Sequence, residues 1–512
     1  MAIDHVFAGP GKVFIWQTRN RTKTGKKKQQ LVWGDWVRVL SREHESGGWL
    51  KVKGRGQEGW LHVEDAQDER LLEVNFIDVG QGDGAFLVTP DDQFALVDAG
   101  MGSNMRRFLS WRFNLKLDHR EERGERHEVG RIIKFLFTVI SHSDSDHYEG
   151  FQEIFDSRSF KFDTVYHNTL VERPASKTTA KLGQREKIDG RLHVTELIES
   201  PEQLADVLQQ VGPDAKTEYI KLMRSAVTGG RVDRIVGVTS EAEYLGKFGV
   251  GHKTKAGKPL QIELLGPVPT NADGKRGLRW FSGLGQTKNG HSVVLKVRYG
   301  NVRLLLGGDL NVRSEEHLLE HWAGEAPDDD ATDAQREAYM ERARTAFGVD
   351  VAKSCHHGSS DFTTTFLRAV NAAATVISSG DEESHCHPRP DALGASGRHG
   401  YGDRPLVFST ELARSTREFT RPRVEVQEQI REAMAKLETV TGSERKKLER
   451  EIDKLLNIAE RNVAVYGMIS VRTDGEQVVI IQKLERPRGS TGEAFDLQWL
   501  KPGLDGRLVS SP

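Results

Sequence analysis

The chain has 512 residues, 37% hydrophobic and 29% charged, with a formal net charge of −2. That composition fits a soluble globular protein and excludes a disordered one, and no apolar run reaches the ~18 residues a membrane span needs. With charges so nearly balanced, any attraction to nucleic acid must come from local patches.

The length accommodates about three domains, or one large core with insertions. The start, Met-Ala-Ile-Asp-His-Val-Phe-Ala-Gly-Pro, lacks the basic flank and apolar core of a signal peptide. Only Cys355 and Cys386 occur, which argues against a disulfide scaffold and fits a reducing cytoplasm.

Residues 1–67 read as a small β module. Runs such as Gly11–Trp16, Trp36–Leu40, Gly48–Val52 and Gly56–Val63 alternate apolar and polar residues between Gly, Ser and Asp turns. Five of the nine tryptophans fall here, Trp16, Trp33, Trp36, Trp49 and Trp60. The module carries 12 Lys and Arg against 7 Asp and Glu, a net of +5, and six of the cations lie between Arg19 and Lys28. Such a loop can touch phosphates; a solvated hairpin tip is the alternative.

A second unit begins at Leu71. Val74–Asp78, Ala85–Thr89 and Phe94–Gly100 are short strands joined by the tight turns Gly80-Gln-Gly-Asp-Gly84 and Pro90-Asp-Asp92, which predicts an antiparallel meander. Residues 101–134, rich in Arg, Glu and His, are expected to be helical. The strand Lys134–Ile140 then runs into Ser141-His-Ser-Asp-Ser-Asp-His147. His142, Asp144, Asp146 and His147 are four ligand-type side chains within six residues, which points to a metal site.

Residues 170–255 read as a charged insertion with helical stretches such as 201–210. Strands are expected at Leu260–Leu265, His291–Val297 and Val302–Leu306, the last ending in Gly307-Gly-Asp-Leu310. Val351-Ala-Lys-Ser-Cys-His-His-Gly358 follows, then a strand over Ala374–Ser378. Residues 424–461 form a helical hairpin by their apolar periodicity. A last strand pair is expected at Val463–Ser470 and Gln477–Leu484, and residues 488–512 as a C-terminal tail.

Together these motifs resemble the metallo-β-lactamase superfamily, above all the hydrolase domain of ComEC-type DNA-uptake proteins. Phe76-Ile-Asp-Val-Gly-Gln-Gly-Asp83 is similar to that group's opening hairpin and Leu96-Val-Asp-Ala-Gly100 to its first motif. His142-Ser-Asp-Ser-Asp-His147 resembles an HxDxDH version of the metal box. Gly307-Gly-Asp-Leu310, His356-His-Gly-Ser359 and His385-Cys-His-Pro388 are similar to the remaining three. The N-terminal segment resembles bacterial SH3-type barrels.

The resemblance implies an α+β fold: an αββα sandwich over 71–487 with helical insertions, preceded by a small all-β barrel. It also implies two divalent ions, Mn²⁺, Zn²⁺ or Mg²⁺. His142 and Asp144 would hold one, Asp146, His147 and His387 the other, and Asp309 would bridge them. His291 is a candidate for the missing ligand of the first ion. His356 and His357 would assist a leaving oxygen beside Asp146, Asp98 would orient a ligating histidine, and Asp83 would hold its turn. ComEC proteins carry transmembrane helices that this sequence lacks, so a pore is excluded for this chain alone. The expected function is a metal-dependent phosphodiesterase acting on DNA, with the barrel gripping nucleic acid or a protein partner. The alternatives are a small-molecule hydrolase, acting on a cyclic nucleotide or an ester, and a non-enzymatic scaffold.

Overall fold

The computed structural model describes residues 4–22, 24–113, 115, 132–175, 180–272, 274–380, 385–410, 423–464, 467–484, 488–489 and 492–511. It is a mixed α+β chain. Residues 5–67 form their own seven-stranded antiparallel sheet, closed over Val6, Ile15, Leu31, Val37, Leu50, Val52 and Leu61. Within it, the segment expected to be a basic turn is already strand from Lys27 to Leu31.

The rest is organised by two larger sheets. The first has ten strands, and its centre is the expected meander: Leu72–Phe76, Gly84–Val88 and Phe94–Ala99, paired antiparallel. Ile133–Ile140, Phe160–His167 and Val232–Gly237 extend it in parallel on one side. On the other side come Ile469–Thr473, Val478–Lys483, Phe495–Pro502 and Leu508–Ser511, all antiparallel. The second sheet has six strands in the order Leu260–Gly266, Val294–Tyr299, Val302–Leu306, Val351–Lys353, Ala374–Ile377 and Leu406–Ser409.

Strand alternation decides which face is buried against what. Ala85, Leu87, Ala95 and Val97 join Ile262, Leu295, Leu304 and Val376 of the second sheet in one core. Their neighbours Phe86, Val88 and Leu96 point the other way. They pack with Phe108 and Leu109 of helix Asn104–Arg112, Leu204 of helix Pro201–Val211 and Tyr219 of helix Glu218–Thr228. Leu305 and Ala352, on the far face of the six-stranded sheet, pack under helices Val312–Ala323, Asp333–Phe347 and Thr364–Val370. Each large sheet therefore buries one face on the other and covers its opposite face with helices.

Four expectations change. Residues 170–255 are not an appended insertion throughout, because Val232–Gly237 is an edge strand of the main sheet and the two helices before it line its core. Residues 495–511 are not a tail but two strands. His291 does not begin a strand; it caps helix Leu284–Gly290, and the strand starts at Val294. The second helix of the expected hairpin, Gly442–Ala464, runs past Val463, so the last strand pair begins at Ile469. The hairpin itself forms, from Arg423–Leu437 and Gly442–Ala464. Of the helix expected over 101–134, Asn104–Arg112 is observed, and most of the remainder lies outside the described residues. Among the described residues, no helix is long and apolar enough to cross a membrane.

The N-terminal module is joined to the main sheet by buried charge. Arg472, on strand Ile469–Thr473, donates through Nη1 to the Trp33 carbonyl oxygen (2.7 Å) and Asp35 Oδ1 (3.0 Å), and its Nη2 lies 3.6 Å from Glu73. Arg55 forms a second ion pair with Asp35. Removing one partner from a buried cluster leaves an uncompensated charge. Arg472→Met is therefore expected to cost about 3–5 kcal/mol in denaturant unfolding, whereas a loss under about 1 kcal/mol would match an exposed pair instead.

Candidate metal centre

The expected site residues converge where strands of the two large sheets end. Ser141–His147 leaves the C-terminal end of Ile133–Ile140, Asp309 follows Val302–Leu306, and His357 follows Val351–Lys353. The carboxyl ends of parallel strands are the usual place for a binding site in such sheets, because the chain opens there into loops. One turn makes the approach possible. Gly82 has φ +104°, and a Cβ on it would overlap the Asp146 carbonyl, so only glycine lets the Gly80–Gly84 turn lie on the His-Asp loop. Asp83 N then donates to the Asp146 carbonyl oxygen at 3.2 Å.

His147 is fully buried at the centre. Its Nδ1 lies 2.9 Å from Asp98 Oδ2, while Asp98 Oδ1 accepts the Ser141 backbone N–H at 2.7 Å. This is the orienting contact expected of Asp98. His357 Nδ1 lies 3.1 Å from the Ser378 carbonyl oxygen, which can only accept. With both Nδ1 atoms donating, each Nε2 carries a lone pair in the neutral ring. The two Nε2 atoms are 3.2 Å apart, and Asp309 Oδ2 lies 3.2 Å from one and 3.1 Å from the other. Asp146 closes the group, its Oδ2 3.4 Å from His357 Nε2 and its Oδ1 4.0 Å from His147 Nε2.

Four acceptors so close together require a positive charge among them. Without an ion, protons fill that need. Burial disfavours a charged imidazole at both positions, yet Asp309 and Asp98 around His147, and Asp309 and Asp83 around His357, raise both pKa values well above the ordinary histidine value. Burial likewise works against the Asp309 carboxylate, but the two imidazoles hold its pKa well below the usual range. Ligand bonds of ~2.0–2.2 Å set edges of about 3.3–3.6 Å in a tetrahedron, and an octahedron at ~2.1 Å has edges near 3 Å. The separations of 3.1–3.4 Å made by Asp309 and by Asp146 with His357 lie in that span, and the 4.0 Å between Asp146 Oδ1 and His147 Nε2 lies beyond it. The donor set fits a divalent cation.

Asp83, Lys353 and Ser378 complete the surroundings. Asp83, His147, Asp309 and His357 each bring a ligand-type atom within 4.8 Å of the others. Asp83, however, faces the Nδ1 side of the rings, 3.1 Å from His357 Nδ1, and pairs with the buried Lys353 ammonium. Asp146 is on the Nε2 side and is the better fourth ligand. Lys353 also donates to the Gly308 carbonyl oxygen at 2.9 Å, holding the turn that presents Asp309. Asp83 thus does more than hold its turn. Lys353, on the same face as Val351 in a short apolar strand, carries no local signal that its ammonium belongs here.

The other expected ligands fall differently. His142 is buried with Nδ1 3.0 Å from Ser141 Oγ and 3.3 Å from Ser292 Oγ. Burial and the neighbouring His147 lower its pKa to about 3, so it is a neutral imidazole. Its Nε2 has no hydrogen-bond partner among the described residues and lies 3.8 Å from Asp144 Oδ2. Asp144 is already in an ion pair with Lys288. The residues present therefore fit the ion expected at Asp146, His147 and Asp309 but not the one expected at His142 and Asp144. His291 is no substitute ligand: it stacks on Phe281 at 4.7 Å with its Nε2 2.7 Å from the Arg279 carbonyl oxygen.

His357, expected to assist a leaving oxygen, stands among the ligand-type atoms themselves. Positive φ values at His356 (48°) and His357 (53°) make a left-handed turn that drives His357 inward. The His387 ring lies 6.2 Å from that of His357 and 5.8 Å from that of His356. His356 is half-buried beside it. The two cysteines are free, Cys355 half-buried and Cys386 exposed. No family model and no curated protein matches the chain.

Two outcomes are expected. Asp98→Asn leaves one acceptor oxygen for two donors, the Ser141 N–H and His147 Nδ1–H, and loss of such an outer partner weakens metal binding about 10–100-fold; titration with Mn²⁺ or Zn²⁺ reads this directly, and an unchanged affinity would refute the orienting role. In ion-free protein, histidine pKa values raised on folding add stability that is complete below the unfolded value of about 6.5 and is lost as pH rises through the folded values. Chelated protein should therefore melt at progressively lower temperature as pH is raised above about 6.5, and a flat profile would show that no raised pair exists.

Proposed function

We propose that this chain is a divalent-metal-dependent phosphodiesterase of metallo-β-lactamase type acting on nucleic acid, with DNA the first candidate. The observation that carries the reading is the pair of Nε2 atoms, of His147 and His357, meeting Asp309 and Asp146 in one buried spot. Three features support it. The motif resemblance runs in order along the chain, the two large sheets and their helices stack in four layers as that superfamily's αββα sandwich does, and the site lies at strand ends.

When bound, a divalent ion polarises a phosphoryl oxygen and acidifies a water held against it. Mixed imidazole and carboxylate donors suit Zn²⁺ and Mn²⁺ better than an all-oxygen set, and Mg²⁺ less. The chain's own residues do the rest. Asp98 and the Ser378 carbonyl lock both rings so that their lone pairs face one point. Lys353 neutralises Asp83 and fixes the Asp309 turn. To His356, half-buried with its ring 6.2 Å from that of His357, we assign the proton delivered to a leaving oxygen.

The SH3-like reading of residues 5–67 belongs to the same proposal. Arg19 and Lys51 lie over the Trp60 ring at 5.2 and 4.8 Å, and Lys27 over Phe14 at 4.1 Å. Phe14 is buried, so Trp60, part-exposed between two cations, is the ring on which a base would stack while the cations hold phosphates.

The test is incubation of metal-loaded protein with plasmid, single-stranded DNA, RNA and a chromogenic phosphodiester. Wild type should cleave at least one nucleic acid. His357→Ala should lower the rate at least about 100-fold, as expected when an ion's ligand is removed. Polyanion cleavage should also fall steeply with salt. Turnover of the chromogenic diester alone, insensitive to salt, would favour the small-molecule hydrolase; no turnover of any of the four would leave only the scaffold.

A further inference from the structure

Resting on that metal-site reading, we infer that the centre holds one divalent ion, and that the Lys288 ammonium takes the place of a second cation at Asp144. Lys288 is the penultimate polar side chain of helix Leu284–Gly290, and that helix is packed so that its ammonium enters the site. It forms an ion pair with Asp144 Oδ1, donates to Glu172 Oε2 at 2.8 Å and approaches the Ser143 carbonyl oxygen at 3.4 Å. All three donors of an ammonium are thereby directed at acceptors. Its side chain is 10% exposed and that of Glu172 16%, so the charge is shielded from solvent and fixed in place.

Asp144 is held from its other side as well. With the Asn289 amide turned so that its nitrogen faces the carboxylate, it donates to Asp144 Oδ2 at 2.7 Å and to the Gly285 carbonyl oxygen at 2.9 Å. Both carboxylate oxygens therefore already accept from the helix Leu284–Gly290. A divalent ion at this corner would have to displace those donors, and it would stand beside a buried positive charge that cannot move away.

What remains is a corner in which an ammonium satisfies two carboxylates and an imidazole nitrogen stands beside them. His142 Nε2, without a hydrogen-bond partner among the described residues, faces Asp144. Glu172 stands on the far side of Lys288. The ligands for an ion are there, and Lys288 excludes it. Removing the ammonium would release Asp144 and Glu172 next to the free His142 nitrogen, which is enough to hold a second ion.

The experiment counts ions per chain by elemental analysis after equilibration with Mn²⁺ and gel filtration, with the Mn²⁺ electron paramagnetic resonance spectrum recorded on the same samples. Wild type should hold one ion and give a magnetically isolated Mn²⁺ spectrum. Lys288→Arg should also hold one. Lys288→Met should hold two and give an exchange-coupled spectrum. Two ions in wild type would overturn the inference while leaving the metal site intact, and so would a folded Lys288→Met that stays at one. No ion in wild type would remove the metal-site reading and this inference with it. The wild-type count stands even if Lys288→Met does not fold.

Discussion

The centre depends on one hydrogen bond, from His147 Nδ1 to Asp98 Oδ2. Asp98 ends a strand of the meander, His147 follows the neighbouring parallel strand, and the same carboxylate accepts the Ser141 backbone N–H. The contact therefore ties two strand ends together and settles which ring nitrogen is left with a lone pair. Everything else in the site follows from that choice. His357, fixed in the same sense by the Ser378 carbonyl, aims its own lone pair at the same point, and Asp309 comes between them.

Two kinds of cation meet at this buried place, and they are handled differently. At the His147–His357 corner the chain provides acceptors only, and the positive charge must arrive as a proton or an ion. At the Asp144 corner it provides its own, in Lys288, and at Asp83 again, in Lys353. A buried carboxylate is tolerated only with such a partner. The difference between a carboxylate that waits for an ion and one that does not lies in where a lysine from another element happens to reach.

Much of the architecture was legible. The meander over residues 72–99, the strand leading into His142, the helical hairpin and the β module all announce themselves through alternation, turn residues and helical periodicity. The mistakes fell where local pattern is silent. Val232–Gly237 buries only two of its six residues fully and lies in what reads as a charged insertion, yet it pairs as a parallel edge strand. Residues 495–511 lack a strong apolar alternation because they extend the sheet where its faces are only partly covered.

The sequence by itself determined the stock of ligand-type residues and the strand ends that carry them: His142, Asp144, Asp146, His147, Asp309 and the His356-His357 pair are all recognisable from spacing and motif. Tertiary structure alone decided which of them share a point. It brought His357 to that point, through a left-handed turn no pattern foretells, and brought Asp83 and Lys353 in from distant elements. It also placed Lys288 on Asp144, 144 positions earlier in the chain. The physical reason is that a ligand set is defined by distances of about 3 Å between atoms, whereas sequence records only order along the chain.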